Sequence, residues 1–497
     1  MEVRSDFSKK EGANWMAIGQ YHIERWDTHN PKGLSEGQLE QYVPPEVESI
    51  ARQVLTRYEM NVHSMSLVTA KPDKGGAIWK LATSHGPRSL KLLHRKPDRS
   101  LFSIGAQEYL VKKGARVPAL VRTKEDHLYT EAGGKLWIVT DWIEPLSPVS
   151  KITLNGAATL CHGLGQFHHL SKGYVPPQGS RYSSRLHKWP AQYKKVISKM
   201  GWFRDLAEAY RDKPSSSLLL TAVGQFERQA REYLERLQNS SYLKMAAMGG
   251  PYWGLAHQDF GWSNGQMGPG GIWVIDLDGV AYDFPIRDLR KIITSTMDDM
   301  GFWDLTWIRT VIHAYHQANP LDRQTYELLL IDMAFPNEFY KHIKEIVYEP
   351  GPFLDTMAEP ILRRILATER NKWQVLAELE REMDNYPLGE YPAALPDDPS
   401  SFPVPLAEIP GGKLPPAPVK QKKATSTSTK KKRRKKVAPI RKSPPKSRLV
   451  RRNIKPKRRM TFSRVLAVEK TVTWKRTKPS REKISLKRKR KQPKESA

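Results

Sequence analysis

The sequence predicts an α+β protein of two lobes, a small antiparallel sheet with one helix followed by a larger, mainly helical lobe. Three observations support this prediction. Short β-rich runs separated by Gly, Pro and Asp turns fill the region before residue 143, helical periodicity dominates from 153 to about 385, and one strand-like stretch at 257–278 interrupts it. A basic tail that we expect to be disordered completes the chain.

The overall composition excludes several other classes of protein. The 497 residues are 39% hydrophobic, which is enough for a sizeable core. A single cysteine, Cys161, cannot form an internal disulfide. The N-terminus MEVRSDFSKKEG lacks the apolar segment of a secretory signal, and no apolar run approaches the ~18 residues of a membrane span. We therefore expect cytoplasmic synthesis and no transmembrane segment.

The net charge of +30 belongs to one segment. Residues 413–497 contain 34 Lys and Arg against three Asp and Glu, a charge of +31, whereas residues 1–412 contain 48 against 49. This tail, with KKRRKK at 431–436 and KRKRK at 487–491, has too little apolar surface to pack alone. Its cations predict affinity for polyanions, but only Phe462 and Trp474 could stack on bases, so we do not expect specific nucleic-acid binding.

The first lobe is expected over residues 44–143, after a partly irregular leader at 1–43. An amphipathic helix starts near Pro44, where prolines and glutamates form the first turn. The elements that follow are three strands, a helix ending at Gly114, and two more strands around a Gly133-Gly134 turn. The predicted strands are 62–69, 77–83, 88–93, 127–130 and 135–143, and the helix lies within 100–114.

The helical lobe is expected over residues 144–385. Its long helix candidates are 154–170, 218–237, 286–297, 321–334 and 352–383. Between Tyr386 and Lys420 there are 10 prolines in 35 residues, which predicts an extended linker, and the disordered tail then occupies 421–497.

One stretch carries residues suited to phosphoryl transfer, which needs a carboxylate near the accepting hydroxyl, oxygen ligands for Mg²⁺ and a cation on the phosphates. In H-x-D-x-x-x-x-N at 257–264, Asp259 suits the first need. Asn264 and Asp276 suit the second, because Mg²⁺ prefers carboxylate and amide oxygens, and a hairpin between them would bring both to one ion.

The cation is expected in the first lobe. Lys91 alternates with apolar neighbours on a predicted strand, so its stem can pack while its ammonium reaches a cleft. Glu108, in the next helix, is the candidate partner that would hold it. Both residues could instead be ordinary exposed charges. The turn KPDKGG at 71–76 could cover phosphates with backbone N–H groups.

These elements, with I-D-x-D at 275–278, resemble the aminoglycoside phosphotransferase and choline kinase branch of the protein-kinase-like fold over about residues 50–385. The run IDLDGVAYDFPIRDLRK and the lysine-rich tail look most similar to CotS-type spore coat proteins of endospore-forming bacteria. The resemblance implies ATP and Mg²⁺ as cofactors and Asp259 as catalytic base. It also implies Asn264 and Asp276 as metal ligands and Lys91 with Glu108 at the phosphates.

The resemblance further implies that backbone groups near Trp142 and Ile143, in the link between the lobes, hold adenine. The sequence departs from protein kinases in two places, since the phosphate loop lacks G-x-G-x-x-G and Asp276 is followed by Leu277-Asp278 where Phe-Gly would stand. Asp278 could bind a second metal or stabilise a turn. Small-molecule kinases of this branch depart in the same way.

Other polar residues are interpreted structurally. Asp283 and Asp288 flank a helix start and are expected to cap it or anchor a loop. Cys161, His162, His168 and His169 match no closed zinc pattern, and we expect His168 to pack near the catalytic loop.

Three functions follow. The first is an ATP- and Mg²⁺-dependent phosphotransferase with an alcohol acceptor, deposited on the spore coat and tethered to coat proteins or a polyanion through residues 413–497. The second is an inactive, kinase-like structural coat protein. The third is a kinase for amino sugars or amino alcohols, which would need acidic residues, such as those near 296–304 and 379–384, to line its cleft.

Overall fold

A computed structural model describes residues 21–28 and 34–392 of the chain. The rest of the predicted leader, most of the predicted linker and the whole basic tail lie outside the described residues. Within the described ranges, no helix is long and apolar enough to cross a membrane.

Six strands form one antiparallel sheet in the N-terminal lobe. Their order along the sheet is β1-β2-β3-β6-β4, and β5 also pairs with β6. Trp79 and Trp137 are buried on one face and stack with ring centroids 5.8 Å apart, which fixes β2 relative to β6. The strands are Val62–Lys71 (β1), Gly76–Thr83 (β2), Gly86–Leu92 (β3), Leu120–Val121 (β4), Thr130–Ala132 (β5) and Lys135–Asp141 (β6).

Three helices belong to this lobe, Glu36–Leu39 (α1), Pro45–Leu55 (α2) and Pro97–Lys112 (α3). Helix α2 has Pro45 at its start and buries Val47, Ile50 and Val54 on one stripe, as its sequence predicts. Helix α3 ends before Gly114, whose φ of +77° is the left-handed conformation that glycine adopts most readily. Its buried face packs between the sheet and the helical lobe.

Residues 21–28 of the leader lie across two turns of the sheet. The backbone N–H of Ile23 donates to the carbonyl of Gly133 at 2.9 Å, and that of Trp26 donates to Pro72 at 2.9 Å. Both side chains are buried in the same core as α2. This part of the leader therefore belongs to the packed structure and covers the β1–β2 turn.

The C-terminal lobe is mainly helical around one large apolar core. Its α-helices are Leu154–Ser171 (α4), Trp189–Ala209 (α5), Ser216–Asn239 (α6), Tyr242–Ala246 (α7), Gly250–Trp253 (α8), Ile286–Met300 (α9), Leu305–Ala318 (α10), Arg323–Ala334 (α11), Asn337–Ile343 (α12), Pro350–Pro352 (α13), Ala358–Thr368 (α14) and Lys372–Arg381 (α15). Short 3-10 turns occupy Leu277–Gly279, Lys344–Val347 and Met383–Asn385, and a π-helical turn occupies Phe353–Met357.

Two small strand pairs interrupt the helices between α8 and α9. Strands Gly265–Gly268 (β8) and Gly271–Val274 (β9) form a hairpin in which Gly265 pairs with Val274. Strand Leu255–Ala256 (β7) pairs with Ala281–Tyr282 (β10). The predicted strand-like interruption is thus present, and its loops face the N-terminal sheet.

Two sequence expectations about individual elements are wrong. The helix predicted from 352 to 383 is broken between α14 and α15, where the Asn371 side chain bonds both the N–H (3.0 Å) and the carbonyl (2.7 Å) of Trp303. The strand predicted at 127–130 begins only at Thr130, because a closed turn joins Thr123 to His127. The helical periodicity of the sequence does not predict helices α5 and α10.

Candidate active site

The ammonium of Lys91 lies between two aspartates from the other lobe. Lys91 is on β3, where it pairs with Ile78 and Ile138 of the neighbouring strands. Its Nζ is 2.6 Å from Oδ1 of Asp276 and 2.8 Å from Oδ1 of Asp278. The sheet buries the lysine stem, only 13% of the side chain is exposed, and the charge emerges at the cleft.

The electrostatics of this cluster favour full ionisation. Burial alone would lower the pKa of Lys91, but attraction to Asp278 and Asp276 outweighs it and raises that pKa. The charge of Lys91 holds the pKa of Asp276 well below its usual range, against the effect of burial. The pKa of Asp278 is also lowered, because Lys91 and His94 outweigh its burial. Both carboxylates are therefore ionised, and both contact the ammonium of Lys91.

Asp276 is held in an unusual backbone conformation. Its φ of 59° and ψ of 60° are left-handed, which is costly for a residue with a side chain. The 3-10 turn that follows places the carboxylates of Asp276 and Asp278 on the same lysine. Lys71, at the end of β1, adds a weaker contact to Asp276 at 3.5 Å.

Asp259 lies on the loop after β7, and 77% of its side chain is exposed. Its Oδ1 accepts from Nζ of Lys291, on α9, at 3.1 Å. The amide of Asn264 donates to the backbone carbonyl of Asp259 at 2.8 Å. This bond ties the two ends of the H-x-D-x-x-x-x-N motif together.

The hairpin brings Asn264 beside Asp276, as the sequence predicted. Ile275 donates its backbone N–H to the Asn264 carbonyl at 2.9 Å, directly before Asp276. The side-chain Oδ1 of Asn264 accepts no hydrogen bond from any described residue. An amide oxygen and an ionised carboxylate on adjacent strand ends form a donor set that fits Mg²⁺.

Asp288 anchors the loop that carries Asp259. Its buried carboxylate accepts from the backbone N–H of His257 at 2.5 Å and of Gln258 at 3.0 Å. It also lies 3.2 Å from Nε2 of His168 on α4. Burial would raise the pKa of Asp288, but these bonds and His168 lower it. The predicted loop-anchoring role, and the position of His168 near the loop, are confirmed.

Asp283 holds the same loop from a second side. It accepts from Nε1 of Trp189 at 2.7 Å and from Nε2 of Gln258 at 3.1 Å. Gln258 has a φ of 71°, which is an unfavourable backbone conformation for a residue with a side chain. The hydrogen bond to Asp283 helps to hold Gln258 in that conformation. The predicted anchoring role of Asp283 is confirmed as well.

Glu108 does not hold Lys91. Its Oε1 accepts from Arg122 at 2.9 Å and lies 3.2 Å from Lys112, so α3 turns this carboxylate toward the β4 side of the lobe. Asp278 takes the place that the sequence assigned to Glu108. The signal that could have identified it is the I-D-x-D spacing, since a tight turn after Asp276 brings both aspartates to one cation.

Trp142 and Ile143 lie, half-buried, in the link that follows β6. The backbone N–H of Trp142 donates to Pro87 at 3.3 Å, and its Nε1 donates to Glu144 at 3.1 Å. The ammonium of Lys80 lies 5.0 Å from the centroid of the Trp142 ring. The link therefore contacts the sheet through Pro87 and Lys80.

Sequence reasoning did not identify Lys291 or Lys71 as site residues. Lys291 follows Asp288 by three positions on one helix, and residues so spaced share a helix face. An anchoring Asp288 therefore implied that Lys291 would reach the same loop. Lys71 gave no comparable signal.

A lysine-bearing antiparallel sheet facing an anchored Asp259 loop and an Asp276 turn defines the protein-kinase-like fold, which confirms the predicted fold class. An aminoglycoside phosphotransferase from Alicyclobacillus acidocaldarius aligns with a TM-score of 0.55 at 15% identity, over 69% of this chain and 97% of the other. A choline/ethanolamine kinase family protein from Mesorhizobium loti aligns with a TM-score of 0.40 at 14% identity, over 67% of this chain and 99% of the other.

The predicted resemblance to spore coat proteins is also confirmed. The chain is similar to spore coat protein S of Bacillus subtilis (strain 168), with 29% identity over 303 residues, which is 59% of this chain and 82% of that protein. No family model matches the sequence. The chain therefore has the protein-kinase-like fold and is similar in sequence to a spore coat protein.

Proposed function

We propose that this protein is an ATP- and Mg²⁺-dependent phosphotransferase that acts on a hydroxyl group in or on the spore coat. The observation that supports it is the convergence of Lys91, Asp276 and Asp278 beside the anchored loop of Asp259 and Asn264. In this proposal these residues, which come from distant parts of the chain, would together supply the three chemical requirements of phosphoryl transfer.

In this proposal the nucleotide lies between the lobes. Lys91 binds phosphate oxygens from the sheet side, and Lys71 lies at the start of the β1–β2 turn that would cover them. The link at Trp142 and Ile143 would hold adenine. The leader residues Ile23 and Trp26, packed on the two turns of the sheet, would restrict the movement of that cover.

The donor set of Asn264 and Asp276 suits one Mg²⁺. When bound there, the ion would neutralise charge on the phosphates and orient them for transfer. The chain's own contribution is to hold an ionised Asp276 in a fixed backbone conformation and to leave Oδ1 of Asn264 without a hydrogen bond.

Asp259 is the proposed general base. Its exposed carboxylate can accept the proton of an incoming hydroxyl, and Asp288 and Asp283 hold its loop in position. Lys91 would bind the phosphate chain on the opposite side, so that the hydroxyl oxygen and the leaving oxygen lie in line.

Nucleotide binding is the first test. ATP with Mg²⁺ is expected to raise the melting temperature of the full chain, and Asp276→Ala is expected to abolish that shift. If ATP with Mg²⁺ leaves the melting temperature unchanged, or if Asp276→Ala keeps the shift, the proposal is wrong. If both expectations are met, transfer of labelled phosphate to coat polypeptides would test the spore coat role.

The similarity to spore coat protein S supports a location on the coat. In this proposal the tail at 413–497, with its charge of +31, attaches the enzyme to coat proteins or to a polyanion. Cytoplasmic synthesis in a spore-forming bacterium would precede that deposition.

A structural role without catalysis is the second candidate. The direct bonds from Lys91 to both Asp276 and Asp278 favour it, because they neutralise the residues that would bind nucleotide and metal. A scaffold would assemble into the coat equally well as Asp259→Asn and as the unmodified chain. A defective coat from that single substitution would count strongly against the scaffold.

A further inference from the structure

Three cationic residues from different parts of the chain lie near the loop of Asp259 or the turn of Asp276. Lys291 on α9 contacts Asp259 directly at 3.1 Å. Arg95, after β3, lies next to the loop, since a Cβ on Gly279 would be 4.0 Å from its Nη2 and 3.9 Å from Cβ of Gln258. The backbone N–H of Arg185 donates to the carbonyl of Tyr282 at 2.8 Å. Tyr282 lies in β10, which follows the turn of Asp276 along the chain.

Two of these cations lack ion pairs. Among the residues that the structure describes, neither Arg95 nor Arg185 has a carboxylate within ion-pairing distance. Burial lowers the pKa of Arg185, and repulsion from Arg287 and Arg95 adds to that effect, while Asp283 attracts it. An arginine without a carboxylate partner can offer its guanidinium group to an anion.

The nearby acidic side chains are already engaged. Asp283 and Asp288 accept hydrogen bonds from Trp189 and from the catalytic loop, and Asp276 and Asp278 share Lys91. The acidic residues that a cationic acceptor would have needed are paired elsewhere: Asp298 with His342, Asp299 with Lys151, Glu382 with Arg309 and Asp384 with Arg323. These carboxylates therefore have partners other than Arg95 and Arg185.

We infer that the acceptor is an anionic hydroxyl compound whose carboxylate or phosphate group binds Arg95 and Arg185 while its hydroxyl meets Asp259. This inference rests on the proposed phosphotransferase function and names its substrate class. It disfavours amino sugars and amino alcohols, whose positive charge would be repelled by the same side chains. Guanidinium groups suit this ligand because they bind planar oxyanions with paired hydrogen bonds.

The proposed reaction transfers the γ-phosphoryl group of ATP to the acceptor hydroxyl. A bond forms between the acceptor oxygen and the γ-phosphorus of ATP, and the bond from that phosphorus to the β,γ-bridging oxygen breaks. The hydroxyl proton passes to Asp259, and ADP leaves with the bridging oxygen. Lys291 stays beside the reacting oxygen, where it offsets developing negative charge.

The test uses the full chain with labelled ATP, Mg²⁺ and matched acceptors. The anionic set contains glycerate, glycerol phosphate, a sugar phosphate and a serine peptide flanked by glutamates; the comparison set contains glycerol, an unmodified sugar, choline and kanamycin. We expect transfer to members of the anionic set at least tenfold faster than to the comparison set. The peptide and the small compounds then distinguish a polypeptide source from a metabolite source of the same chemistry.

Variants assign the effect to the two arginines. Arg95→Gln and Arg185→Gln are each expected to raise KM for the anionic acceptor by about tenfold or more, the scale of one lost charge-assisted hydrogen bond, while KM for ATP changes less than twofold. Arg185→Lys should restore part of the loss. Arg228→Gln, an exposed position on α6, is the matched control and should change neither constant.

Each outcome decides one question. Binding and hydrolysis of ATP without transfer to any anionic acceptor would overturn the inference and leave the proposed function standing. Preferred transfer to choline or kanamycin, or a rise in KM for ATP in both arginine variants, would also overturn it. No binding of ATP by the unmodified chain would instead remove the proposed function itself.

Discussion

The ammonium of Lys91 lies 2.6 Å from a carboxylate oxygen of Asp276, although 185 positions separate the two residues in the chain. One comes from the third strand of the sheet and the other from a turn in the helical lobe. This contact joins the two lobes across the cleft. It places the predicted phosphate-binding cation beside the predicted metal ligand.

Replacing Asp276 should therefore remove nucleotide binding before it removes the fold. Asp276→Asn keeps the shape of the side chain but removes its charge, and Lys91 retains Asp278 as a partner. We expect loss of the melting-temperature shift caused by ATP with Mg²⁺. Asp205→Asn, at an exposed position on α5, is the control and should keep the full shift.

The sequence predicts that Glu108 holds Lys91, whereas the structure pairs Lys91 with Asp278. Substitutions at these two positions therefore distinguish the two assignments. The structure pairs Lys91 with Asp278, so Asp278→Asn should lower the free energy of unfolding by ~1–3 kcal/mol and weaken ATP binding. Glu108→Gln only loosens contacts with Arg122 and Lys112 and should change ATP affinity little. Chemical denaturation and calorimetric titration measure both; a larger loss of affinity in Glu108→Gln would contradict the observed pairing.

The anchor of the catalytic loop should control catalysis more than binding. Asp288→Asn keeps the size of the side chain but weakens the bonds to the N–H groups of His257 and Gln258. We expect at least a tenfold loss in kcat for phosphate transfer, with KM for ATP changing less than threefold, because Asp259 is misplaced while the nucleotide contacts remain. Steady-state kinetics separate the two constants.

Stability should fall as the pH drops below neutrality, in part through His168. Burial lowers the pKa of this histidine below its ordinary value of 6.5, despite the nearby Asp288. The unfolded chain then binds a proton at a higher pH than the folded chain, so stability is complete above that ordinary value and is lost as pH falls toward the folded pKa.

The slope attributable to one such group is at most about 1.4 kcal/mol per pH unit. His168→Asn should flatten the loss of stability between pH 7 and 5, although it is less stable at neutral pH because it loses contacts to Tyr315 and Asp288. Urea denaturation across that range measures the slope. An unchanged slope in the variant would show that His168 is not the titrating group.

The basic tail should be separable from the nucleotide site. Truncation after Gly412 removes a charge of +31 and none of the residues of the cleft. We expect the truncated chain to lose retention on immobilised heparin and to keep the thermal shift with ATP and Mg²⁺. Loss of both properties together would show that the two segments do not act independently.

Local patterns were sufficient to predict most individual elements. The turns at 72–75 and Gly133-Gly134, the helix beginning at Pro45 and the hairpin before Asp276 all follow from residues close together in the chain. The long helix predicted at 352–383 failed because of a distant contact, since the Asn371 side chain bonds Trp303 and divides it. The strand predicted at 127–130 failed because of a local turn between Thr123 and His127.

The sequence by itself determined the fold class, the concentration of charge in the tail, and the motif residues Lys91, Asp259, Asn264 and Asp276 as a candidate set. The tertiary structure alone decided which carboxylates hold Lys91, that Lys291 contacts Asp259 and that Arg95 lies near Gly279. The physical reason is the distance along the chain over which each kind of interaction acts. Secondary structure and turns depend on neighbouring residues, whereas ion pairing at a cleft depends on which side chains the two lobes bring within a few ångströms of each other.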